Sequence, residues 1–257
     1  MSSIKLLTVP LAALCFAPLA CLAQGNQGTL YEVISVVVKP GMTAKFEQGM
    51  KQLSAYAQSH GDTNGTAAFE VMFGANAGNI IILVPFKWES LDHPPDYEAG
   101  LDQAIAKDVE PYLSSVHTSL ARSMPKLGNP PAANATPETC YEVIQVEVKP
   151  GKMDDFMASL AQITEAEHKA NSQTNPVIVY EEESGGDAYE VTVAIGHPDF
   201  ADFGRPPAKS NFEALSAAYG VPAARSTMSA LYGSIASEQN FIVRYRSELS
   251  FTPGGGQ

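Results

Sequence analysis

The sequence predicts an α+β protein built from two copies of one β-α-β-β-α-β unit, and three observations lead there. The stretch "YEVISVVVKPG" (31–41) returns as "YEVIQVEVKPG" (141–151). After each copy comes the same helical spacing of apolar residues, then two strand-like runs joined by a Gly-rich connector. Between the copies lies "PKLGNPPAANATPET" (125–139), which has four prolines and no periodicity, as a linker does.

The elements follow in order. In the first strand of each copy the residues alternate between two faces. "KPG" then ends the strand, because Pro cannot donate to a ladder and Gly permits the turn. Phe46, Met50 and Leu53 in one copy, and Phe156, Leu160 and Ile163 in the other, recur at spacings of four and three, which places them on one helix face. "AAFEVMF" (67–73) and "NIIILVPF" (79–86) read as a hairpin, as do "PVIVYEEE" (176–183) and "AYEVTVAI" (188–195). Helices are expected over about 97–114 and about 209–237, the latter interrupted near "YGVPAA", and closing strands over 116–124 and 240–249. This is the ferredoxin-like order, twice. The expected organisation is a leader over 1–23, repeat 1 over 30–124, the linker over 125–139, repeat 2 over 140–250 and a flexible tail over 251–257.

The leader has one charge, Lys5, and an apolar run to Ala23 ahead of the polar "QGNQG". A charged start, a short apolar core and small residues before a polar break mark a secretory signal, so the mature chain is expected to be secreted or periplasmic. Pro10 and Pro18 break the run, which argues against a retained spanning helix. Lipidation at Cys21 is the alternative, disfavoured by Pro18 where such signals carry an aliphatic residue. Outside the leader only Cys140 remains, so no internal disulfide can form and stability must come from the core. With 16 Lys+Arg against 28 Asp+Glu the net charge is −12, which argues against nucleic acid and anionic membrane as partners.

Why the unit is written twice follows from its faces. Both helices of such a unit cover one side of its sheet. Ile34, Val36 and Val38, with Ile144, Val146 and Val148, supply the helix-packed rows. The opposite rows are Tyr31, Val33, Ser35, Val37 and Tyr141, Val143, Gln145, Glu147, too apolar for full exposure and too polar for a dry core. Two sheets facing each other would enclose these mixed rows, so the second copy supplies the partner that a single copy would need from a dimer. The expected fold is an α+β barrel, an intrachain pseudo-dimer.

The segments "VVVKPGMTAKFEQGM" and "VEVKPGKMDDFMASL" resemble the opening of antibiotic-biosynthesis-monooxygenase-like domains of the dimeric α+β barrel superfamily. The resemblance implies a barrel whose interior can hold a small molecule, in a superfamily that includes cofactor-free oxygenases, haem proteins and members without known chemistry. Most members pair two chains; this chain looks like the pair fused. The resemblance carries over Trp88 and His93, in "FKWESLDHPPDY", as residues facing the pocket. The second copy departs from it, with His197 near the Trp position and no Trp, and the asparagine of some cofactor-free members has no counterpart. The competing reading is that Trp88 packs under its loop and that each His-Pro pair forms a turn.

Polar candidates come from the second copy. Gln145, Glu147, Glu190, Thr192, Arg244 and Arg246 could face one interior as an Arg–Glu network, since buried carboxylates must be paired or shift their pKa; a solvated sheet edge is the alternative. No histidine pair has metal-binding spacing, and neither a metal nor a cofactor is expected. Were a haem bound, His117 on a closing strand would be the best-placed ligand. The candidate ligand-binding set is Tyr31, Trp88, His93, Tyr141, Gln145, Glu147 and Arg244. The function expected is an exported small-molecule-binding protein holding a partly aromatic or lipophilic ligand. The alternatives are a cofactor-independent monooxygenase using the same cavity and a structural or partner-binding module with a filled barrel.

Overall fold

The computed structural model describes residues 28–131, 137–170, 175–205 and 209–253. Residues 1–27, which include the expected leader and Cys21, the middle of the expected linker and the last four residues lie outside them. The first repeat runs β1 (Leu30–Val38), α1 (Thr43–Ser59), β2 (Ala67–Phe73), β3 (Ile80–Pro85), α2 (Glu89–Asp92), α3 (Glu98–Asp108) and β4 (Leu113–Ser123). The second runs β5 (Cys140–Val148), α4 (Met153–Ala170), β6 (Val177–Ser184), β7 (Glu190–His197), α5 (Asn211–Tyr219), α6 (Val221–Ser234) and β8 (Ile235–Tyr245). The fold is α+β with two ferredoxin-like repeats. The eight strands close in the order β1-β3-β2-β8-β5-β7-β6-β4, all neighbours antiparallel. Each repeat thus lends its second and fourth strands to the other, and closure leaves no free sheet edge.

Local sequence explains most elements. Gly41 and Gly151 take positive φ (76° and 75°) in the two "KPG" turns, a backbone state that other residues adopt at a cost. Phe46 and Phe156 are each 1 % exposed and seat their helices on the outer rows, with Val36 in one core and Val146 and Val148 in the other. Burying each phenyl contributes roughly 2–3 kcal/mol. Tyr31 and Tyr141 belong to a third core, inside the barrel.

Three boundaries differ from the sequence reading. The helix expected over 97–114 stops at Asp108, because Pro111 cannot donate a helical bond; a short 3₁₀ turn (Glu110–Tyr112) leads straight into β4. The strand expected from 240 begins at Ile235, because β5 pairs with that polar segment along its length. Phe251, expected to open a flexible tail, is instead buried and pairs with Thr66 through two backbone bonds of 2.9 and 3.0 Å. The segments trailing β4 and β8 cross over: Leu127 packs in the second repeat's core and Leu249 in the first's.

Candidate ligand-binding site

The barrel interior is not packed solid. Side chains of Val33, Phe69, Ile81, Leu83, Ala121, Tyr141, Val143, Ile178, Tyr180, Ala194, Phe241 and Val243 surround a cavity of about 140 Å³. That is about the space taken by one benzene ring in a dry apolar cavity. Strand alternation builds this wall, with Phe69 and Val71 on β2, Ile178 and Tyr180 on β6, and Phe241 and Val243 on β8 pointing inward. Phe69 meets Tyr141 edge-on at 5.6 Å between ring centroids, and Tyr31 meets Tyr180 edge-on at 6.0 Å. Tyr31 lies in the interior core but does not line the cavity.

Toward one end of the barrel the wall turns polar. Ser119, Gln145, Glu182, Glu190 and Thr192 border the chamber. A wider vestibule of about 440 Å³ shares Ser119, Gln145, Glu182 and Glu190 with it and adds Ser35, Asn76, His117, Gly185, Gly186 and Asp187. Gln145 Nε2 donates to Glu190 Oε1 at 2.9 Å. Burial, and next the nearby Asp187, raise the Glu190 carboxyl above its ordinary pKa, with Gln145 and His117 partly opposing. Burial also raises Glu182, helped by Glu190 and Asp187 and opposed by the Ser119 hydroxyl and the Gly186 N–H. Glu182 Oε1 is closed off from solvent and has no hydrogen-bond partner among the described residues. Tyr180, only 7 % exposed, has a hydroxyl that makes no hydrogen bond among the described residues, and burial holds its pKa well above normal.

The residues expected at the site separate into those the barrel brings together and those it does not. Tyr141 and Gln145 line the cavity. Glu190 and Thr192, grouped with them in sequence, do so too. Glu147 has the inward parity but is exposed and lines neither chamber nor vestibule; its Oε2 accepts from Ser237 Oγ at 2.9 Å. Arg244 and Arg246 face outward: Tyr141 stands opposite Val243 and Cys140 opposite Arg244, so the arginines take the other face. There Arg244 binds Glu70 at 2.5 Å, and Arg246 binds Glu70, Glu47 and Glu248 at 2.6–2.7 Å. Trp88 is 51 % exposed and meets Phe86 edge-on in a shallow outer groove with Arg122, because the chain has left β3 and the barrel wall by then. His93 is exposed at the end of the four-residue α2. Neither enters the barrel. Tyr180, Glu182 and Phe69 were not singled out in sequence, although "VIVYEEES" places Ile178, Tyr180 and Glu182 on one face by alternation.

Two other arrangements bring reactive side chains together. Cys140 is fully buried beside His197, but burial pushes its thiol up to about 11, so it is not an activated nucleophile. His117 lies exposed at the vestibule beside carboxylates, and the chamber behind it has room for one ring; these residues do not fit a porphyrin. Among the described residues, no helix is long and apolar enough to cross a membrane.

No protein-family model matches the chain, and no curated protein sequence matches it. Solved structures do share its fold. A candidate monooxygenase from Lactobacillus acidophilus NCFM superposes with a TM-score of 0.55 at 10 % identity, covering 88 % of this chain and 97 % of that one. A second candidate monooxygenase, from Fusobacterium nucleatum subsp. nucleatum ATCC 25586, gives 0.52 at 10 % identity over 89 % and 95 %. An anthrone oxidase-like protein gives 0.50 at 11 % identity over 91 % and 98 %. These are dimeric α+β barrel folds, and this chain is a tandem version of that fold.

Proposed function

We propose that this protein binds a small molecule with an aromatic or lipophilic body inside the barrel. The observation that carries the reading is the aromatic-walled chamber opening into a polar vestibule, the composition expected of a small-molecule site: mainly apolar, with a few placed polar groups. Titration calorimetry with phenol tests it. The native protein should bind, and Ala194→Phe, which fills the chamber, should not. Absence of binding by the native chain, or equal binding by the variant, would overturn the reading. We further propose that the chain is exported, on the strength of the apolar leader ahead of "QGNQG". N-terminal sequencing of the exported protein should begin near Gln24, and an intact Met1 in a soluble cytoplasmic fraction would refute it.

A second reading, a cofactor-independent oxygenase, draws on Glu182 and Glu190. Carboxyls whose pKa is raised by burial are stronger bases than ordinary carboxylates and can take a proton from a bound substrate. The anthrone oxidase-like fold neighbour suggests the assay, which is oxygen uptake with an anthrone and no added flavin or metal. Uptake that is lost in Glu190→Gln supports this reading; binding without uptake leaves the small-molecule-binding reading alone.

A further inference from the structure

Resting on the barrel-binding reading, we propose that the ligand is an organic cation: a protonated amine on an aromatic or lipophilic body, with the ring in the chamber and the ammonium between Glu182 and Glu190.

The charge balance of the barrel points there. No Lys or Arg is among the residues lining chamber or vestibule, whereas Glu182, Glu190 and Asp187 are. A carboxylate in a low-dielectric wall is unfavourable unless a cation or several hydrogen bonds answer it. On the outer face this protein supplies that answer: Glu70 has Arg244 and Arg246, and Glu183, next to Glu182 but on the opposite face, has Arg122 at 2.7 Å. Inside, the answers are all neutral: Glu190 receives the Gln145 amide, and Glu182 the Ser119 hydroxyl and the Gly186 N–H while keeping one sealed, unpartnered oxygen. His117 is the one lining group able to carry positive charge, and its field is felt at Glu190. Glu182 has no such neighbour.

A second, independent feature lies deeper in the same wall. Tyr180 is more than nine-tenths buried, lines the chamber and has an unpartnered hydroxyl. Open to the chamber, that hydroxyl can complete a hydrogen bond to a polar group on a ligand seated there. Phe69, Tyr141 and Phe241 add aromatic walls, whose π-faces attract cations and pack against rings. The three features together describe a ring with a cationic head toward the mouth and a polar substituent within reach of Tyr180.

Three probes of matched shape separate charge from hydrophobicity: tyramine, the neutral alcohol 2-(4-hydroxyphenyl)ethanol, and 4-hydroxyphenylacetate, each titrated calorimetrically into the full-length protein at pH 8. Tyramine should bind about ten-fold or more tighter than the alcohol, and the acid should bind weakest. The doubly substituted Glu182→Gln/Glu190→Gln protein, its fold verified by a melting curve, should lose the preference for tyramine while keeping the alcohol's affinity. Either single substitution should give part of that loss, so the test survives if the double variant fails to fold. Tyr180→Phe should weaken tyramine by about three-fold or more but leave 2-phenylethylamine, which lacks the ring hydroxyl, unchanged. Equal binding of amine and alcohol would overturn the cation proposal and leave the barrel reading standing. Tyramine affinity undiminished in both carboxyl variants would overturn it too. If none of the probes binds, and phenol does not either, both proposals fall.

Discussion

Glu70 on β2 and Glu182 on β6 sit on corresponding strands of the two repeats, yet they meet opposite electrostatic fates. Glu70 faces outward at the seam with β8. Burial works against its ionisation, but the Arg244 and Arg246 guanidiniums bonded to it hold its carboxyl below the ordinary range. Glu182 faces inward, where burial raises it and neighbouring acids add to the effect. The protein therefore matches charge at the seam that closes the barrel and leaves it unmatched at the cavity mouth. The seam answers its carboxylate with two guanidiniums, while the mouth holds burial-raised acids that the proposed cationic ligand would answer. Glu32 is a third case, 5 % exposed on the outer row between Val84 and Leu120, with burial alone pushing it up to about 7.

Breaking the seam should have the largest effect. Arg246 holds three carboxylates with its own side chain only 12 % exposed. Arg246→Ala should lower stability by about 3 kcal/mol, as removal of one member of a largely buried ion cluster does. Urea unfolding at pH 7 measures it. Because the native Glu70 carboxyl is depressed, its favourable contribution is present above the unfolded pKa and is lost as pH falls through the folded one.

Glu32 comes next and has the opposite sign. Its native pKa, about 7, lies above the ordinary 4.5, so the folded state holds the proton more tightly and stability falls as pH rises between those values. Glu32→Gln should raise stability at pH 8 by up to about 3 kcal/mol and change little at pH 4. Paired denaturation curves at the two pH values check this; equal gains at both would point to packing instead of charge.

At the mouth, the Glu182→Gln/Glu190→Gln protein should be more stable than the native chain at pH 8, by on the order of 1 kcal/mol, because two unmatched charges are gone. Differential scanning calorimetry should show a higher Tm. A lower Tm would mean these acids stabilise the empty protein and would end the contrast with the seam. The smallest effect belongs to the outer groove: Trp88→Phe should change stability by less than about 0.5 kcal/mol, since the indole is half exposed, and should leave phenol binding unchanged.

Much of this was written locally. The repeated strand and "KPG" turn, the Phe46 and Phe156 helix faces, and the alternation of Tyr31 and Tyr141 against Val36 and Val146 depend on neighbours a few residues apart, and they determined two α+β repeats with one face to be shared. For β8 the sequence reading put Arg244 and Arg246 inside and the barrel puts them out, although the local signal was there: Phe241, Val243 and Tyr245 alternate with Ile242 and Arg244, and the apolar row takes the interior. Only the tertiary structure decided what the cavity contains. Glu182 meets Glu190 because β6 pairs with β7 and the sheet closes through β4, and Arg244 reaches Glu70 across 174 residues because β2 pairs with β8. A one-residue change in any of those registers would exchange inner and outer faces. Trp88 shows the same limit, for its position depends on where the chain turns after β3 and no periodicity encodes that turn. Alternation along a strand is a property of the strand, but which row meets which across a closed barrel is settled by pairings between distant segments.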